Sequence, residues 1–130
     1  MPRTTQLTLS LVSRPGTLAT LARTLADARV NITALSAAEA SGRGKIRILV
    51  NDAVRAKRAL RKANYRATEQ PVFAIRLRNK PGALARLAAR LAKARINVRS
   101  IYATAAGRGP AVVVLTVGGN PGKARRVLGR

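Results

Sequence analysis

Leu7, Leu9 and Leu11 alternate with Thr8, Ser10 and Val12, the period-two pattern of a half-buried strand. Ser13-Arg14-Pro15-Gly16 breaks the alternation. Pro15 is expected at the first position of a helix, where its missing N–H leaves nothing unpaired. Leu18, Leu21, Leu25 and Ala28 follow at helical spacing, with Arg23 and Arg29 off that stripe. Residues 30–38 read as a second strand, bulged where Ala34-Leu35 disturbs the alternation. Ser41-Gly42-Arg43-Gly44 is a hairpin connection to a third strand through Ile46, Ile48 and Val50. Asn51-Asp52 offers an N-cap for a second helix that turns Ala53, Ala56, Leu60 and Ala63 inward. Asn64 closes that helix, and residues 65–70 are expected to form a fourth strand. The unit is βαββαβ.

The pattern then occurs again. An offset of 66 carries Pro15 onto Pro81, Leu7, Leu9 and Leu11 onto Phe73, Ile75 and Leu77, and Leu21 and Leu25 onto Leu87 and Leu91. It also carries Arg29-Val30-Asn31-Ile32 onto Arg95-Ile96-Asn97-Val98. The chain is a duplication, with too few copies for a solenoid. Domain boundaries are expected at 6–70 and 72–130, with Pro71 separating the last strand of one copy from the first of the next. In the second copy, residues 96–104 form the second strand, Gly107-Arg108-Gly109-Pro110 the hairpin loop, and residues 111–117 a nearly continuous apolar strand buried on both faces. Asn120-Pro121 opens a last helix, and no fourth strand follows. The bare sheet edge this implies would invite pairing with another chain, so a homodimer is expected.

Composition narrows the chemistry. There is no Cys and no His, so a disulfide framework, a thiolate metal site and the usual general base are all missing. The four carboxylates, Asp27, Glu39, Asp52 and Glu69, stand at no spacing that suggests an acid–base pair. No catalytic residue, metal site or cofactor is therefore assigned, and the protein is read as a non-enzyme. No apolar signal core precedes the first strand and no stretch reaches transmembrane length, so a cytoplasmic protein without a membrane partner is expected. A net charge of +22 will draw the chain to polyanions without any dedicated site.

The repeated corner is the candidate site. A helix start presents unpaired N–H groups and a partial positive charge. Gly16 and Gly82 let a ligand approach the backbone closely, and Arg14 and Lys80 add positive charge that a docked carboxylate would relieve. The plainer alternative is that Pro-Gly only makes a tight strand-to-helix turn.

Ser13-Arg14-Pro15-Gly16-Thr17-Leu18 and Asn79-Lys80-Pro81-Gly82-Ala83-Leu84, each followed by Asn31-Ile32 or Asn97-Val98, resemble the ACT domain, twice, over about residues 6–128. The resemblance implies an α+β fold of two tandem ferredoxin-like βαββαβ units, with sheets joined and helices on one face. It implies an amino-acid-binding regulatory module that acts on a separate partner, with ligands held between two such domains. The family's polar corner position falls on Ser13 and Asn79, and Asn79 would hold the ligand's amino group. Its second-strand position falls on Asn31 and Asn97, followed by Ile32 and Val98. Ser13 is shorter than Asn79, and no acid stands at either corner.

Two rival readings remain. One is a basic, sequence-nonspecific nucleic-acid-binding protein, with Arg47, Arg76, Arg78 and Arg99 meeting phosphates from the strands. Tyr65, Phe73 and Tyr102 form no stacking ladder for bases. The other is a pure oligomerisation module.

Overall fold

The computed structural model describes residues 3–104 and 109–128. Ten elements follow in chain order: β1 (Arg3–Val12), α1 (Thr17–Asp27), β2 (Ile32–Ala40), β3 (Arg43–Val50), α2 (Ala53–Lys62), β4 (Thr68–Leu77), α3 (Ala83–Lys93), β5 (Val98–Thr104), β6 (Ala111–Val117) and α4 (Pro121–Leu128). The fold is α+β, and the chain divides into two compact units, one of them Thr5–Gln70 and the other running from Pro71 onward.

In the first unit the strands lie β2-β3-β1, all antiparallel, with Leu9 opposite Ile46 and Ile32 opposite Val50. Leu7 and Leu9 of β1, Ile46 and Ile48 of β3, Leu21 and Leu25 of α1, and Ala56 and Leu60 of α2 form one buried cluster. Both helices thus cover the same face of the sheet. The expected bulge is present, between Ile32 and Ala34. The hairpin turns through Ser41 and Gly42, both at positive φ, which matches the right-handed twist of the flanking strands. Asp52 caps α2, its carboxylate accepting from the Arg55 N–H at 3.0 Å. Asn64 ends that helix in the left-handed region.

The second unit repeats this plan. Its strands lie β4-β6-β5, with Ile75 opposite Val113. Phe73, Ile75, Val113 and Leu115 meet Leu87, Leu91, Ala124 and Leu128 in a second cluster. Val113, Val114, Leu115 and Thr116 are buried in succession, as the continuous apolar run predicts. Asn120 Oδ1 accepts from the Gly122 N–H at 2.8 Å and starts α4. Of the anticipated hairpin loop, Gly107 and Arg108 lie outside the described residues.

Five sequence expectations are corrected. Pro15 and Pro81 are not the first residues of their helices, because a left-handed glycine stands between each and its helix. Leu18 and Leu84 do not face the core: they are 45% and 55% exposed, and the buried stripe of each helix begins one turn later, at Leu21 and Leu87. Ala63 is exposed as the residue that ends α2. Pro71 does not separate two strands, because β4 runs unbroken from Thr68 to Leu77. Proline's fixed φ is compatible with extended backbone, and it only withholds one donor. The fourth strand expected from residue 65 starts only at Thr68, and Tyr65 before it packs against the first core cluster.

Candidate functional site at the repeated corner

Each corner is a type II turn fused to a helix. The Thr17 N–H donates to the Arg14 carbonyl at 3.2 Å, with Pro15 and Gly16 as the central residues and Gly16 at φ 90, ψ −15. That φ is what the third position of such a turn requires, and glycine supplies it without strain. The Thr20 N–H then donates to the Gly16 carbonyl at 2.9 Å and α1 begins. The second copy matches it: Ala83 N–H to Lys80 carbonyl at 3.3 Å, Gly82 at φ 88, ψ −14, and Arg86 N–H to Gly82 carbonyl at 3.0 Å. Neither α1 nor α3 has a side-chain cap, in contrast to α2, and neither has an acid in its first turn. Both therefore start with donors and a partial positive charge that no side chain answers.

A groove opens beside each corner, between the first helical turn and the edge strand that follows it. In the first unit it encloses about 240 Å³, and Ser13, Arg14, Leu18, Ala37, Glu39 and Ile46 are among its lining residues. In the second it encloses about 320 Å³, with Asn79, Lys80, Leu84, Ile101, Ala103 and Val113. The two linings are repeat equivalents: Ser13 matches Asn79, Arg14 matches Lys80, Leu18 matches Leu84 and Ala37 matches Ala103. Exposed Leu35 and Ile101, at 41% and 46%, also correspond. The two grooves differ in charge, since Glu39 lines the first and no carboxylate lines the second.

Sequence reasoning singles out the corner residues and misses the opposite wall. Ala37 and Ile46, with Ile101, Ala103 and Val113, are brought there by strand register, and the only signal for them is the strand pattern itself. Gly16 lines a second cavity, of about 370 Å³, on the side of Thr20 and Tyr65.

Asn31, Ile32, Asn97 and Val98 are elsewhere. Val12 is opposite Arg43 at one end of β3, and Ile32 is opposite Val50 at the other. Seven residues of strand separate those rungs, roughly 23 Å at 3.3 Å per residue. In the second unit Leu77 is opposite Ala111 and Val98 opposite Val117, roughly 20 Å apart by the same measure. The Asn31 N–H donates to Asn51 Oδ1 at 2.9 Å, and its carbonyl accepts from the Asn51 N–H at 3.0 Å. The Asn97 carbonyl accepts from the Gly118 N–H at 2.9 Å. Ile32 and Val98 pack against the two cores. Within one unit the corner and these asparagines do not meet.

Among the described residues no group of three or more His, Cys, Asp or Glu side chains gathers where it would hold a metal ion. No described helix is long and apolar enough to cross a membrane.

Residues 3–129 match the family model for an ACT domain pair. The chain belongs to the ACT domain family. Among solved structures, this ACT domain pair is similar to protein BT0572 from Bacteroides thetaiotaomicron, with 29% identity and a TM-score of 0.90 over 98% of this chain and 87% of that one. It shares its fold with the ligand-free regulatory subunit of aspartate kinase from Thermus thermophilus, at 17% identity and a TM-score of 0.69 over 98% and 91% of the two chains. The corresponding subunit from Thermus flavus gives 16% identity and a TM-score of 0.60 over 99% and 95%. No curated protein shows a significant match to the sequence.

Proposed function

We propose that this ACT domain pair is a non-catalytic sensor of a free amino acid, built from domains 6–70 and 72–130. It signals to a separate protein in the cytoplasm and works as a homodimer. The observation that carries this reading is the recurrence of one groove at one place in both units, with a polar residue, a cation and an uncapped helix start on one side and apolar side chains on the other. That arrangement suits a zwitterion with an apolar side chain. The carboxylate would take Lys80 or Arg14 and the helix N–H groups beside Gly82 or Gly16. The amino group would take Asn79 Oδ1 or Ser13 Oγ. Asn31, Ile32, Asn97 and Val98 would serve only a ligand held by more than one domain, as the resemblance to the family implies.

The test is a thermal-shift panel of the common amino acids at millimolar concentration in moderate salt. A ligand at a hundredfold excess over its Kd stabilises by about 2.7 kcal/mol, well within detection. If no amino acid moves the melting temperature, the reading is wrong.

A further inference from the structure

A second concavity in the second unit has a different character. It lies between the end of β4 and α3, encloses about 400 Å³, and is lined by Arg76, Arg78, Lys80, Arg86 and Arg90 over Leu77 and Leu87. The equivalent positions of the first unit are Ser10, Val12, Arg14, Thr20 and Thr24, so the duplication has gained four cations at this one place.

No Asp or Glu side chain in the second unit offsets them. All four carboxylates lie at or before Glu69, while half of the 26 Lys and Arg lie beyond it. Asp27, Asp52 and Glu69 are in any case paired within the first unit, with Arg23, Arg55 and Lys57. One of the arginines is also held in place. Arg90 Nη2 donates to the Val127 carbonyl at 2.7 Å. The Arg86 guanidinium folds back over the corner, its Nη1 only 3.2 Å from where a Cβ on Gly82 would stand. That sets a guanidinium at the positive end of α3, where the helix dipole opposes it. An anion that bridges Arg86 and its neighbours would reverse the sign of that interaction.

We propose that this cavity is an anion site of the second unit alone, taking a small molecule that carries two or more linked phosphates. Several arginines around one cavity provide more positive charge than a single carboxylate answers, and their forked donors match phosphate oxygens two at a time. The buried Leu87 and half-buried Leu77 beneath them leave room for an organic body. Arg78 and Lys80 line both this cavity and the amino-acid groove, but Arg76, Arg86 and Arg90 line only this one, so variants of those three test the proposal apart from the sensing function.

The test titrates inorganic pyrophosphate into the full chain by calorimetry in moderate salt. It compares the native protein with Arg76→Gln/Arg86→Gln and with Arg58→Gln/Arg61→Gln, a control that removes the same charge from exposed positions of α2. We expect saturable binding of one pyrophosphate per chain, weakened at least about tenfold by the first pair and essentially unchanged by the second. Amino-acid stabilisation should survive the first pair. Equal loss in both pairs would mean a diffuse charge effect and would overturn the site. So would non-saturable binding, or a short single-stranded oligonucleotide that depends on Arg76 and Arg86 where pyrophosphate does not. Should the first pair fail to fold, the exposed single variant Arg86→Gln gives the same comparison.

Discussion

Gly16 and Gly82 occupy the same left-handed backbone conformation, φ 90, ψ −15 and φ 88, ψ −14, at the third position of the same turn in each copy. Space does not demand glycine at position 16, since a Cβ there would meet nothing within 4 Å. We predict that Gly16→Ala costs about 1–2 kcal/mol from the backbone angle alone, measured by denaturant unfolding. Gly44→Ala, at ordinary φ with only van der Waals contact to the Leu11 carbonyl at 3.9 Å, is the control and should be close to neutral. Equal effects at the two positions would remove the turn as the reason for the glycine.

The leucines of α3 differ in burial although they share one stripe. Leu87 is buried and Leu84 is exposed. Leu87→Ala should cost about 2–5 kcal/mol, whereas Leu84→Ala should cost well under about 1 kcal/mol and weaken ligand binding instead. Urea unfolding of both variants separates the two roles.

Asp52 is the one side chain that caps a helix start by accepting from the third residue onward among the described helices for which a cap is assigned. Asp52→Ala should lower stability by about 1 kcal/mol and Asp52→Asn by less, because the amide oxygen keeps the bond to the Arg55 N–H. A fluorescence or circular-dichroism melt of each variant tests this.

Asn79 and Ser13 hold the same place in the two grooves, and Asn reaches further. We predict that Asn79→Ser reduces amino-acid affinity in the second groove, while Ser13→Asn raises it in the first. Calorimetric stoichiometry reports which groove changed. Indifference to both would separate the grooves from ligand binding.

A net charge of +22 against three surface ion pairs among the described residues makes repulsion the dominant surface interaction. Added sodium chloride screens it, so the melting temperature should rise between low and physiological ionic strength. A fall would mean that the ion pairs outweigh the repulsion.

Periodicity along the chain determined the element order and most of the core. Leu7, Leu9, Leu21 and Leu25, with their counterparts Phe73, Ile75, Leu87 and Leu91, could be read off because strand and helix periods are local properties. The corner was legible for the same reason: Pro-Gly specifies a turn within four residues. Register and long-range placement were decided only by the tertiary structure. It set Ala37 and Ala103 beside the corners, carried Asn31 and Asn97 to the far end of each sheet, and ran one strand through Pro71. It also drew Arg76, Arg86 and Arg90 around one cavity. Those outcomes depend on which strands pair and how helices lie across them, and such contacts between residues distant in the chain leave no period in the sequence.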